Sequence, residues 1–261
     1  MSWLFEGFTD YYAEITALKS GIVSLKQVIE RYNRLLEKHY LSFVREKSNN
    51  DLEAFFDEDS LYADLPYTRG YILAHELDTK INQSTNKQYS LDDVFKNLFK
   101  NINIPSSHTA SSCLTYLGFK NEVHNYFDDS ENFFKMHVDE GKIISPLSNS
   151  FGECVSLIEK NIKPEDYGID LKKTISNKEI IGLNKNNPAY VKGLRNGQKI
   201  VSYKFKSDIN KELELKVEMV IGKKYKTFNL KRLGNPINIP QYKINEKKFK
   251  ENPEICMSYL R

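Results

Sequence analysis

"SWLFEGFTDYYAE" (residues 2–14) stands at the head of the chain. Leu4, Phe8, Tyr11 or Tyr12, Ile15 and Leu18 recur at three- and four-residue steps and fall on one stripe, which predicts a helix over residues 2–19. Gly21 is placed to stop it. Glu6 sits where the apolar face turns. A carboxylate in the first turns of a helix is favourable through the helix dipole alone, so its position needs no further role to explain it.

Working outward, Ser24 is a good N-cap for a second helix over residues 25–46. Its stripe is Leu25, Val28, Ile29, Tyr32, Leu35, Leu36, Tyr40 and Phe43. So short a link predicts that the two helices pack antiparallel. "KSNNDLEAFFDEDSLYADLP" (47–66) is a polar, acidic connection, and Pro66 is expected to hold Leu65 out of helical geometry. Helical spacing returns in "YTRGYILAHELDTKI" (67–81), and Ser90 caps "LDDVFKNLFKNI". Residues 108–118, 130–138 and 151–162 read as further short helices.

The pattern then changes. "IDLKKTI" (169–175), "KEIIGL" (178–183), "KIVSYKF" (199–205), "ELELKVEMV" (212–220) and "KYKTFNLK" (224–231) are short runs of alternating character, expected as strands. In the fourth, Leu213, Leu215, Val217 and Met219 oppose Glu212, Glu214, Lys216 and Glu218, which describes a half-buried strand. Gly222 with Lys223 marks a hairpin. Residues 236–261 lack periodicity and read as an extended tail.

Charge follows the same division. Residues 163–261 hold 22 Lys+Arg and 11 Asp+Glu, a net of +11; residues 1–162 hold 16 and 24, a net of −8. The reversal places a domain boundary near residue 160. The basic surplus lies opposite the apolar face of alternating strands, as on a solvated face, so no nucleic-acid partner is expected. No apolar run approaches a membrane span. The early Glu6 and Asp10 do not fit a signal peptide. Cys113, Cys154 and Cys256 have no metal spacing, and their odd number argues against a disulfide framework. A reducing, cytoplasmic setting is the expectation.

"WLFEGFTDYYAEITALKSGIVS" (3–24) resembles the segment W-x-x-E-G-F-T-x-Y-Y of metallopeptidase family 61, the glycyl-aminopeptidase type. These are gluzincins, with a catalytic domain like that of thermolysin. The resemblance implies that Glu6 is the third zinc ligand, a carboxylate oxygen suiting a site of two His and one Glu. "LPYTRGYILAHELDTKINQSTNKQYSLDDVFKNLF" (65–99) is similar to the family's Y-x-K-G helix and the S-L-D-D helix after it, and "FFKMHVDEGKIISPL" (133–147) is similar to a further family segment. By that resemblance Tyr67 is catalytic, a neutral donor to the tetrahedral oxyanion. Tyr62 is a candidate neighbour in the same cleft.

A gluzincin also needs H-E-x-x-H, with both imidazoles facing one metal and the Glu activating water. His39, His75, His108, His124 and His137 do not form it. "HELDT" (75–79) puts Thr79 where the second His belongs and follows the Tyr motif rather than preceding Glu6, so His75 reads as a helix-face residue without a metal role. The family's zinc helix lies shortly before W-x-x-E-G-F. The expectation is therefore a C-terminal portion of a zinc-dependent aminopeptidase, inactive alone. Zinc would belong to the intact family member, with none held tightly by this chain, and peptide would be the substrate once the missing helix is supplied. The alternative is a non-catalytic fragment or scaffold. Exposed apolar surface on such a half-domain predicts self-association.

"GLNKNNPAYVKGLRNGQKIVSY" (182–203) resembles the PDZ segment S-P-A-x-x-A-G-L-x-x-G-D-x-I, with Gly193 and Gly197 at turns, Ala189 and Leu194 in the core, and Gln198 for Asp. "YGIDL" (167–171) would be its carboxylate-binding loop, making Tyr167, Gly168 and Ile169 candidate peptide-binding residues. Only "KSDINK" (206–211) occupies the place of the second PDZ helix, which weakens a peptide groove. The resulting fold class is α+β. It comprises the all-α half of a thermolysin-like catalytic domain (1–162), a small β-rich PDZ-like domain (163–235) and a tail (236–261).

Overall fold

Ser24 closes its helix as the sequence predicts. Its hydroxyl accepts the Gln27 N–H at 3.3 Å while Gln27 Oε1 accepts the Ser24 N–H at 2.8 Å, a reciprocal capping box. This fixes the start of α2 (Leu25–Leu41), which follows α1 (Phe8–Lys19) across Gly21, at φ +72°. The structure is a computed structural model that describes residues 2–42, 44–54, 60–100, 115–164, 166–205, 212–219 and 224–256. A π-helical turn, Trp3–Gly7, leads directly into α1. After α2 come α3 (Asn49–Ala54), α4 (Ser60–Ser84), α5 (Leu91–Lys100), α6 (Tyr116–His124) and α7 (Ser130–Phe134), the last continuing into a second π-turn, Lys135–Asp139. Next are β1 (Val155–Ile162), α8 (Leu171–Asn177), α9 (Pro188–Val191), β2 (Ile200–Phe205), β3 (Leu213–Glu218) and β4 (Tyr225–Leu230). The described chain closes with β5 (Ile237–Ile244), α10 (Glu246–Glu251) and α11 (Pro253–Cys256). The architecture is thus mixed helix and sheet.

The chain divides into two compact units. One is Met1–Lys160 with Ile239–Arg261; the other is Asn161–Asn238. In the first unit α4 is the axis of the core. Tyr71, Ile72, Leu73, Ala74, Leu77 and Ile81 are all buried, so this helix is covered on every side rather than along one stripe. That burial explains a departure from expectation: α4 runs straight through Pro66, and Leu65 is helical. An internal proline costs about 3 kcal/mol, less than the burial of several large side chains at roughly 1.5–3 kcal/mol each.

Where a helix is expected over 151–162, Val155–Ile162 is a strand and 151–154 a turn. Val155, Ile158 and Ile162 have helical spacing, but all are β-branched, and a partner strand exists in β5. Residues 236–261 are accordingly not an extended tail: they supply β5 and two short helices. Asn33 on α2 acts as a surrogate strand neighbour for β5. Its Nδ2 donates to the Tyr242 carbonyl at 2.8 Å and its Oδ1 accepts the Tyr242 N–H at 2.7 Å. The cysteine expectation is also overturned: Cys154 and Cys256 form a disulfide across 102 residues, with Cα atoms 5.1 Å apart. An odd number of cysteines does not prevent two from pairing. No described helix is long and apolar enough to cross a membrane.

In the second unit β2, β3 and β4 form an antiparallel sheet in that order, with Leu213 opposite Leu230 and Leu215 opposite Phe228. Leu213, Leu215 and Val217 are fully buried, as the alternation requires, and pack with Tyr167, Ile180 and Leu194. Where a strand is expected over residues 169–175, Leu171–Asn177 is helical. Asp170 caps this helix, Oδ1 accepting the Lys173 N–H at 3.0 Å, and Lys178 ends it in the left-handed region at φ +53°. A seven-residue alternating run is too short to separate the two periods. The Gly222 hairpin tip, "KSDINK" and most of the 108–118 helix lie outside the described residues.

Candidate functional site at the Gly7–Gly70 crossing

Two glycines bring the motif residues together. A Cβ on Gly7 would lie 2.3 Å from the Gly70 backbone, and a Cβ on Gly70 would lie 2.0 Å from the Trp3 carbonyl oxygen. The opening turn and α4 therefore touch backbone to backbone, a separation only glycine permits. The π-turn Trp3–Gly7 widens the helix at this point, buries Trp3 and Leu4, and leaves Glu6 half-buried and Phe5 exposed. Trp3 is held edge-on by Phe8 and Tyr116, at 5.9 and 6.0 Å between ring centroids.

Glu6 precedes one crossing glycine by a residue and Tyr67 precedes the other by three, so their side chains meet. Partial desolvation, then the charge and hydrogen bonding of Glu6, raise the Tyr67 phenol above its usual pKa. The phenol is 38% exposed and remains neutral at physiological pH. The pair thus offers a carboxylate and a protonated hydroxyl side by side at an accessible surface. The Tyr62 side chain lies outside the described residues.

Arg69 follows Tyr67 by two residues and is fully buried. Its guanidinium donates to the carbonyls of Lys47 and Arg45, both at 2.7 Å, and to Asn49 Oδ1 at 2.9 Å. Burial lowers its pKa to about 10. Arg69 thereby ties the segment after α2 to the turn of α4 that carries Tyr67. Sequence reasoning quoted Gly7, Arg69 and Gly70 within motifs but did not read the backbone contact or the clamp. A glycine in each of two helices is a weak signal until their crossing is known.

The donor set does not by itself fit a zinc ion. Among the described residues no three His, Cys, Asp or Glu side chains gather into a metal-holding group, and a zinc site needs at least three protein ligands. His75 is remote from Glu6 in the sense that matters: it lies 3.7 Å (Nδ1) from Glu76, and its ring packs between Tyr32 and Phe151 at 4.6 and 4.5 Å. It is a buried core residue rather than one on an open helix face. Thr79 donates its hydroxyl back to the His75 carbonyl at 2.8 Å.

In the second unit, Tyr167, Gly168 and Ile169 do not make an open amide cradle. The Gly168 N–H already donates to Asp166 Oδ1 at 2.7 Å, and the Tyr167 ring is buried. Asn187 Nδ2 donates to the Tyr167 carbonyl at 2.6 Å, and the segment runs on into α8 instead of a strand that could wall a groove. Gly193 and Gly197 do have positive φ, at +99° and +85°, and Ala189 and Leu194 are buried.

Residues 1–90 match the family model described as M61 glycyl aminopeptidase. Among solved structures the chain is similar to the crystal structure of an aminopeptidase N family protein from Idiomarina loihiensis, with a TM-score of 0.56 and 14% sequence identity. The match covers 99% of this chain and 48% of that one, so the chain spans about half the length of this neighbour. At that identity the likeness is one of fold. A search of curated proteins finds no match.

Proposed function

We propose, taking residues 1–90 as an M61 glycyl aminopeptidase segment, that this chain is the C-terminal portion of a zinc-dependent aminopeptidase acting on peptides. The observation that carries the reading is the meeting of Glu6 and Tyr67 over the Gly7–Gly70 contact. In this reading Glu6 is one of three zinc ligands. The two imidazoles and the water-activating carboxylate come from an H-E-x-x-H helix that the 261 residues do not contain. The 261-residue chain is then inactive and binds zinc poorly.

Tyr67 does its work through its proton. A phenol whose pKa is raised stays protonated at neutral pH and can donate to a carbonyl oxygen as negative charge develops there. Arg69 is a positioning residue that fixes the helical turn beneath it. The exposed Phe5, beside Glu6, is the apolar surface through which the chain alone would self-associate.

The test compares the chain with a version extended upstream to include an H-E-x-x-H helix. The extended protein should bind about one zinc per chain and cleave aminoacyl-p-nitroanilides. Glu6→Ala should abolish zinc binding. Tyr67→Phe should keep the zinc and lower kcat by about 100- to 1,000-fold with KM little changed. Unaltered zinc content in Glu6→Ala would reject the ligand role and leave a non-catalytic scaffold as the better reading.

A further inference from the structure

The first unit contains a cavity of about 540 Å³ away from Glu6 and Tyr67. It lies between the later turns of α1 and α4, is bordered by the turn after α4 and by residues 148–153, and opens to solvent. Asp78, in its wall, is eleven residues beyond Tyr67 on α4, about 16 Å of helical rise. The size falls within the roughly 300–1,000 Å³ of small-molecule sites.

The three carboxylates around this cavity are engaged within the protein, and two lysines stand at its edge. Asp78 accepts from the Tyr11 hydroxyl at 2.7 Å and the Leu91 N–H at 2.8 Å. Glu153 pairs with Lys248 at 3.0 Å. Asp92 faces the Tyr12 phenol. Lys19 and Lys87 are exposed at the rim. Beside these lysines the cavity presents carboxamides (Gln83, Asn86, Asn149), the Ser148 hydroxyl and the aromatic wall of Tyr12. Gln83 Nε2 donates to Asn149 Oδ1 at 2.8 Å, joining two walls with a bridge that can both give and take hydrogen bonds.

His75 also lines the cavity. It is 3% exposed, and its Nδ1 is sealed from solvent 3.7 Å from Glu76, so that nitrogen faces the core rather than the cavity.

We infer that this cavity binds an uncharged polyhydroxylated ligand, a mono- or disaccharide. Carboxamides and hydroxyls match sugar hydroxyls as both donors and acceptors, and an aromatic wall takes the apolar face of a pyranose. The inference is independent of the peptidase reading, because none of its residues is Glu6 or Tyr67.

Isothermal titration of the full chain with methyl glucoside, N-acetylglucosamine and maltose tests it, with trialanine and glucose 6-phosphate as charged comparators. At least one neutral sugar should bind with a Kd below about 10 mM. Asn86→Gly should weaken that binding roughly fivefold, the value of one hydrogen bond, while its backbone, at φ +51°, suits glycine. Ile15→Trp, which fills the cavity from α1, should abolish it. Absence of binding by all three sugars, tighter binding of either charged comparator, or sugar binding that neither variant alters would overturn the inference.

Discussion

His39 is sealed in the first unit with both ring nitrogens lacking hydrogen-bond partners among the described residues. Burial, then the positive charges of Arg69, Arg45 and His137, lower its pKa to about 3. The unfolded chain takes up this proton near pH 6.5, and the folded chain does not until about pH 3. Its effect on stability is therefore neutral above pH 6.5 and grows unfavourable as pH falls, by about 1.4 kcal/mol per unit. His39→Leu should raise stability at pH 7 by about 1–3 kcal/mol by removing unsatisfied buried nitrogens. It should also recover about 2 kcal/mol more between pH 6.5 and pH 5. Urea unfolding of both proteins at the two pH values measures this. At the same scale, Glu6 and Tyr67 were legible as candidates through a family resemblance, and their roles belong to the proposed function. The glycine contact that unites them was not, since it depends on where two helices cross. Gly70→Ala would force the Trp3 carbonyl away, an overpacking cost of about 1–3 kcal/mol. In the extended protein it should also lower activity.

Elements were readable where local signals and packing agree. The Ser24 N-cap of α2 and the alternation of β3 are written in neighbouring residues, and both form as expected. β1, α4 and α8 were misread because something outside the local pattern decides them: a strand far along the chain, burial on all sides across Pro66, and a side-chain cap at Asp170. The docking of β5 on α2 belongs to the same class. Asn33→Ala removes both bonds to the Tyr242 backbone and leaves its N–H and carbonyl without those partners. The expected loss is about 1–3 kcal/mol. Faster hydrogen exchange at the Tyr242 amide would localise the effect to β5, whereas exchange unchanged there would mean the contact contributes nothing.

The whole molecule is bounded by one covalent link. Cys154 and Cys256 both belong to the first unit, yet 102 residues separate them. In the chain-entropy description, closing a loop of that length stabilises by about 4.7 kcal/mol, with about 2–4 kcal/mol typical of measured bonds. Cys154→Ser should lower the unfolding free energy of the first unit by about that amount, read by denaturant titration under non-reducing conditions. Equal stability of variant and parent would mean that the bond does not form in solution. The second unit, Asn161–Asn238, falls entirely within this ring. A protease that cuts anywhere inside it opens the ring without dividing the molecule: the fragments migrate as one species until a thiol is added, then part into two.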